Sequence, residues 1–240
     1  MEVKIICPSR KRADIFKTDI ENMIVLIDIK EKKQYEDLPH EKIYHNSLTS
    51  LSEIRQFAYT EFKNIFFVDD DIVSVEKLYE TNNQNLTARE IFDLIQEAAY
   101  TAKELGAKLF GFNNDASPTH YNQHKPFMLN GYINGCAFGL FEDKNLFFHK
   151  DTTACESHWI NLLNAYYNRY CFIDKRFHFR QQSNSTFLLK GGQSGKRTID
   201  TEKQDTLFLR KMFGNSIQLK KMQNKTLQLH EYQRVLNLKI

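Results

Sequence analysis

The sequence predicts an α/β fold in which a mixed, mainly parallel, Rossmann-like sheet is flanked by helices, and three observations predict it. Apolar runs of strand length alternate with helix-length segments at βαβ spacing through the first 72 residues. Those runs are apolar without a period of two, the pattern of strands buried on both faces. One of them, Asn64-Ile65-Phe66-Phe67-Val68, ends abruptly in Asp69-Asp70-Asp71-Ile72, and the carboxyl edge of an open α/β sheet is where ligands bind. At 240 residues the chain can bury a sizeable core in one large domain.

Each element follows in chain order. Val3-Lys4-Ile5-Ile6-Cys7 is a first strand, closed by Pro8-Ser9-Arg10. Residues 14–22 have the composition of a helix. Met23 to Asp28 is a second buried strand, residues 30–38 form a short helix or turn, and Lys42 to His45 is a third strand. Thr49 to Phe62 is an amphipathic helix with Leu51, Ile54, Phe57, Ala58 and Phe62 on one face. Glu53, three residues after Ser50, completes a capping box at its start. After the acidic strand, Leu86 to Leu105 is a long helix capped by Thr87 with Glu90 and stopped by Gly106. Lys108 to Asn113 is a strand. The polar segment 113–126 is a candidate loop over a substrate. Gly131 to Leu140 reads as a glycine-rich strand whose backbone can be closely approached. A helix over about 155–168 presents Trp159, Leu162, Leu163 and Tyr166, and a basic helix covers 203–213. In the tail 216–240, Leu227, Leu229, Val235, Leu236 and Leu238 suit packing or self-association.

Composition excludes several classes. No stretch approaches the ~20 apolar residues of a membrane span. The start MEVKIICPSRKRAD lacks the pattern of a signal peptide, so a cytoplasmic location is expected. Cys7, Cys136, Cys155 and Cys171 are widely spaced, which fits structural thiols rather than zinc or a disulfide framework. The net charge of +3 hides an asymmetry: residues 181–240 carry 11 Lys/Arg against 4 Asp/Glu, leaving 22 against 26 in residues 1–180. A basic C-terminal part on a mildly acidic body suits a polyanion such as nucleic acid, or simply a solvated surface.

The three acids carry the chemistry. Adjacent carboxylates repel and shift one another's pKa unless a counter-charge sits among them. Hard Mg²⁺ or Mn²⁺ is the usual remedy, so the run suggests a metal site able to hold a ligand's phosphates. The competing reading is a turn, with Ser74 and Glu76-Lys77-Leu78 starting a helix. No GxGxxG is present, so the usual dinucleotide fingerprint is absent.

A strand running into Pro8-Ser9-Arg10, further βα units, and a strand ending in Asp-X-Asp resemble the GT-A glycosyltransferases. The combination Cys7-Pro8-Ser9-Arg10-Lys11-Arg12-Ala13-Asp14, Gln34-Tyr35, Ser52-Glu53-Ile54-Arg55 and Phe66-Phe67-Val68-Asp69-Asp70-Asp71-Ile72 is similar to one branch, the TET-associated glycosyltransferases proposed to act on hydroxymethylated bases in phage DNA. The resemblance implies a GT-A domain over 1–200, with a nucleotide-sugar half at 1–72 and an acceptor half at 73–200. A basic helical extension would occupy 201–240.

It also implies roles. Pro8, Ser9, Arg10, Asp28, Arg55, Asp69 and Asp70 would contact the nucleotide-sugar, with Arg10 on phosphate and Asp28 near base or ribose. Asp71 would bind Mn²⁺ or Mg²⁺ directly, Asp69 would touch ribose or metal, and His178 would complete the metal shell. The basic segment from Lys190 to Arg197, opening with Lys190-Gly191-Gly192, resembles the Lys-Gly-Gly segment of the phage enzymes and would close over the diphosphate. Glu156, with Asp151 as runner-up, would take the proton from the acceptor hydroxyl; the second acid common at such a helix start is replaced here by Ser157. The activity implied is a hexosyl- or pentosyltransferase that moves sugar with inversion from a UDP-sugar to a 5-hydroxymethylated pyrimidine in phage DNA. A polysaccharide or small-molecule acceptor, a nucleotidyltransferase, and a non-catalytic nucleic-acid-binding module on the same scaffold are the alternatives.

Overall fold

The computed structural model describes residues 2–80, 85–182, 190–194, 196–219, 232 and 234–238. Four strands, β1 (Lys4–Pro8), β2 (Ile24–Asp28), β3 (Glu41–His45) and β4 (Ile65–Val68), pair in parallel in the order β3-β2-β1-β4. Helix α1 (Leu51–Phe62) makes the crossover from β3 back to β4. The chain therefore steps outward from β1 to β3 and returns to the opposite side of β1. That reversal opens a crevice between the carboxyl ends of β1 and β4, the topological switch point of such sheets.

The sheet continues beyond β4. Strand β8 (Ala137–Leu140) enters antiparallel between β4 and β6 (Leu109–Phe112); β9 (Phe172–Asp174) runs parallel to β6, and β7 (Phe127–Met128) closes the edge. The result is eight strands in a mixed, mostly parallel sheet. A separate antiparallel ribbon pairs β5 (Ile72–Lys77) with β10 (Phe177–Gln181), and a second pairs β11 (Ile217–Leu219) with β12 (Arg234–Leu236).

Two apolar clusters explain the unbroken hydrophobic runs. Consecutive strand residues point to opposite faces. Ile5 and Phe66 join Ile91, Ile95 and Ala98 of α2 (Ala88–Glu104) on one face. Ile6 and Phe67 join Ile54 of α1, Trp159 of α3 (Glu156–Tyr167) and Leu209 of α4 (Ile199–Phe213) on the other. Both faces are thus covered by helices.

Both predicted capping boxes are present, on α1 and α2. In the first, Ser50 Oγ accepts from Glu53 N at 3.1 Å while Glu53 Oε2 accepts from Ser50 N at 2.9 Å. The backbone N–H groups of Ser50 and Thr49 hold the Glu53 carboxyl down to about 2, below its ordinary 4.5. A depressed folded value means this stabilisation is complete above about pH 4.5 and is lost as pH falls toward 2. Glu53→Ala is expected to cost about 1 kcal/mol at neutral pH, and urea unfolding near pH 2 should find the two proteins equal.

Other expectations are corrected. The helix expected over 14–22 is reduced to a single 3-10 turn, Ala13–Ile15. The acidic turn outcompetes it: Thr18 Oγ1 donates to the Asp69 carbonyl at 2.6 Å and accepts from Ile72 N at 3.0 Å, and Lys17 N donates to the Asp70 carbonyl at 3.0 Å. Residues after the acids form strand β5, not a helix. Of Gly131–Leu140 only the last four residues are strand, because Asn161 bonds both the N–H and the carbonyl of Ile133 at 2.9 Å in place of a neighbouring strand. The helix placed at 203–213 starts at Ile199 and buries Leu209 completely, so it packs into the main body. Leu236 and Leu238 also pack on that cluster, while Leu227 and Leu229 lie outside the described residues. All four cysteines are buried and free. No helix among the described residues is long and apolar enough to cross a membrane.

Candidate functional site

The three acids leave β4 at the switch crevice and diverge. Asp70 turns toward the end of β1, where Ser9 Oγ donates at 2.6 Å and Arg12 Nη1 at 2.7 Å. Asp69 and Asp71 turn the other way and face a common donor: Gln181 Nε2 lies 3.1 Å from Asp69 Oδ2 and 3.1 Å from Asp71 Oδ1. Arg12 Nη1 also reaches Asp71 Oδ2 at 3.3 Å. Asp69 follows the end of β4, and Asp70 and Asp71 form a turn before β5, so the turn rather than strand alternation brings Asp69 and Asp71 to Gln181.

Arg55 forms the floor. It projects from α1, is fully buried, and lies 5.1 Å from the Phe138 ring centroid and 5.6 Å from that of Phe67. Its Nη1 donates to Glu156 Oε1 at 3.0 Å, and its Nη2 to Asp69 Oδ1 at 2.9 Å and to the Gly135 carbonyl at 2.8 Å. Gly135 is required there, since a Cβ would come within 2.7 Å of the Ser157 side chain at the start of α3.

Four carboxylates, Asp69, Asp70, Asp71 and Glu156, therefore share two guanidinium groups. The surplus raises proton affinity. Burial, opposed by Arg55 and reinforced by Asp71, Asp70 and Glu156, pushes Asp69 up to about 7. The Asp69 side chain keeps 29 % of its surface accessible, so this is the desolvation of a narrow cleft rather than of a sealed core. Burial also raises Asp70, against the pull of Arg12 and Ser9.

The donor set fits a hard divalent cation. Asp69 and Asp71 offer oxygens that converge on one position, now taken by the Gln181 amide, and their excess negative charge is of the size such an ion neutralises. Among the described residues no group of three or more His, Cys, Asp or Glu is arranged to hold a metal. The remaining positions would fall to ligand phosphate and water oxygens, the way Mg²⁺ is usually held.

Above the acids lies a cleft lined by Pro8, Ser9, Arg10, Arg12, the three acids, Gln181 and Lys196. Its rim is cationic. Arg10 Nη1 reaches the Thr49 carbonyl at 3.4 Å and Lys196 Nζ donates to the same oxygen, so the two positive groups crowd together. Partial burial and Arg10 lower the Lys196 pKa. Lys11, Lys190, Gly191 and Gly192 extend this rim.

The Lys190-Gly191-Gly192 segment is docked on the turn after β1. Gly192 N donates to the Arg10 carbonyl at 2.9 Å. Gly191 has φ +85°, and a Cβ there would lie 2.5 Å from the Arg10 carbonyl oxygen and 2.6 Å from that of Lys11. Gly191→Ala is expected to destabilise the protein by about 1–3 kcal/mol through strain and lost docking. Chemical denaturation at unchanged stability would show that the segment does not rest on the turn.

Of the residues singled out from the sequence, Pro8, Ser9, Arg10, Arg55, Asp69, Asp70, Asp71, Gly191 and Gly192 are brought together here. Asp28 lies at the end of β2, in an adjoining cleft that shares Ser9, Arg10, Thr49 and Ile54 with the first. Glu156 sits behind Arg55, 8 % exposed, as its second counter-charge. Asp151 is on the surface beside His149. His178 is not brought to the acids: it pairs with Glu76 in the β5–β10 ribbon, three residues from Gln181, and its Nδ1 lies 2.8 Å from the Asn113 carbonyl. Arg12 and Gln181 were not singled out from the sequence, whereas Lys196 belongs to the basic segment expected over the diphosphate. Arg12 stood inside a quoted motif with nothing local to mark it, and Gln181 is polar on an otherwise ordinary strand.

Two arginines of the basic C-terminal part are engaged internally, while Lys190, Lys203 and Lys211 are exposed. Arg234 pairs with Glu202 at 2.7 Å, each side chain 2 % exposed, and Arg197 pairs with the same carboxylate. No protein-family model matches the chain, and no curated protein matches it significantly.

Proposed function

We propose that the protein is a metal-dependent glycosyltransferase that takes a sugar from a nucleotide-sugar, a UDP-sugar first, and places it on a hydroxyl of a 5-hydroxymethylated pyrimidine in DNA. The single observation that carries this reading is the crevice between β1 and β4, where a carboxylate pair only partly offset by Arg55 and Arg12 faces a cationic rim. One side suits a divalent cation and the other suits a diphosphate. The residue motifs that resemble the GT-A glycosyltransferases fall at this same edge.

Asp69 and Asp71 would hold the cation, in the place of the Gln181 amide. When bound, the ion supplies electrostatic stabilisation of the leaving diphosphate. Arg10 and Lys196 would clamp the phosphate oxygens, and Lys190-Gly191-Gly192 would cover them. The cationic rim beside the cleft is also the surface that would meet the phosphate backbone of an acceptor, so DNA binding should weaken steeply with salt.

Glu156 is the group assigned to accept the acceptor's proton, and a test separates this from service to Arg55 alone. Glu156→Gln keeps a hydrogen-bond acceptor for Arg55. Loss of turnover by roughly a hundredfold or more, with donor binding and melting temperature retained, is expected of a base, whose contribution is of that order. A fall in stability with turnover per folded molecule preserved would leave Glu156 as a counter-charge only.

The activity itself is tested by following labelled sugar from a panel of UDP-sugars onto hydroxymethylcytosine-containing DNA, with Mn²⁺ and with EDTA. Label in DNA that disappears with EDTA is the expected result. Metal-dependent release of UDP without labelled DNA would keep the transferase and move the acceptor to a saccharide or small molecule. DNA binding with no donor turnover would point to a non-catalytic module.

A further inference from the structure

The adjoining cleft at the carboxyl ends of β2 and β3 contains a buried polar group that nothing above employs. His45 ends β3 in register with Asp28 of β2, and both line this cleft together with Leu48 and Ile54. The imidazole is only 5 % exposed, yet its Nδ1 has no hydrogen-bond partner among the described residues. A buried nitrogen left unpaired is costly, and a ligand that supplied the missing partner would remove that cost. The neighbouring carboxylates are already engaged: Asp28 Oδ1 accepts from Lys30 N at 2.9 Å and Glu31 Oε2 from Lys11 N at 2.6 Å.

The position matches one molecule bound across both clefts. Strand β3 lies two strand spacings, about 10 Å, from β1, and the two clefts share Ser9, Arg10, Thr49 and Ile54. Phosphates seated beside Arg10 and Lys196 would direct the nucleoside toward β3, where Leu48 and Ile54 offer apolar surface for a flat ring.

We propose that His45 reads the polar edge of the donor's heterocyclic base and so determines which nucleotide the protein accepts. This rests on the nucleotide-sugar reading above. Burial, with Arg10 adding to it, lowers the His45 pKa against the opposing pull of Asp28 and Glu31, which favours the neutral ring. A neutral imidazole presents a donor or an acceptor at Nδ1 according to its tautomer, and either finds a complement on the polar edge of a base.

The test is calorimetric binding of UDP, CDP, GDP, ADP and inorganic pyrophosphate to the wild-type protein, His45→Phe and His45→Gln. The wild type is expected to separate the four nucleotides by about tenfold or more. His45→Phe, which keeps a ring of similar volume, should collapse that spread to about threefold or less while pyrophosphate affinity stays within about twofold. His45→Gln, which keeps a donor and an acceptor, should reorder the ranking. An unchanged ranking in either variant overturns the inference and leaves the diphosphate site standing. Equal binding of pyrophosphate and all nucleotides by the wild type overturns it as well. A wild type that binds none of the five overturns the nucleotide reading itself.

Discussion

Arg55→Met is expected to destabilise the protein by about 3–5 kcal/mol, the usual penalty for removing one partner of a buried ion pair. Arg55 is fully buried and satisfies Asp69, Glu156 and the Gly135 carbonyl together. Its loss leaves two carboxylates facing each other with no counter-charge, at a place where Asp69 is already raised to about 7 with Arg55 present. The excess cost should shrink as pH falls and those carboxylates take up protons, because the variant's folded state then buries less charge. Arg55→Lys should recover only part of the loss, since an ammonium group cannot span two carboxylates as a planar fork does. Denaturant unfolding across pH measures all three. A cost for Arg55→Met below about 1 kcal/mol, the scale of a surface pair, would show that Arg55 does not hold the site together.

Asp71→Asn is expected to abolish metal-dependent turnover, by roughly a hundredfold to a thousandfold or more, while leaving the fold intact. The substitution keeps shape, and the contacts of Asp71 with Gln181 at 3.1 Å and Arg12 at 3.3 Å are the longer ones of the cluster. Asp70→Asn provides the contrast. Asp70 is the short-range partner of Ser9 and Arg12 at 2.6 and 2.7 Å, so its loss should lower stability first. Turnover, direct Mn²⁺ binding and melting temperature on the two variants separate the roles. Full activity in Asp71→Asn would make the metal assignment wrong.

The Asp-Asp-Asp run thus divides its labour in a way that three identical letters do not show. A turn at Asp70 and Asp71 separates Asp70 from the outer two, which strand periodicity does not foretell. What each one meets was not legible either. Three adjacent acids require a counter-charge, and a divalent cation is the group their pattern suggests. The structure supplies two arginines as well, one from the turn after β1 and one from α1, and their charge still falls short of the four carboxylates they meet.

Local signals determined a good deal by themselves. The unbroken apolar runs at 24–28 and 65–68 specified doubly covered strands, and Ser50–Glu53 and Thr87–Glu90 specified where two helices start. The acids after Val68 specified the edge at which to look. These features lie within a few residues of one another, so period, capping geometry and turn chemistry act before any long-range contact forms. Only the tertiary structure decided the rest. Thr18 abandons a helix for the backbone of Asp69, Gln181 bridges two acids more than a hundred positions earlier, and Glu156 closes on Arg55 across 101 residues. His178 is carried by the same strand as Gln181 yet turned to Asn113. Such pairings depend on strand order and on which face of each strand meets the crevice, and a side chain's neighbours in space leave no periodic trace in its neighbours along the chain.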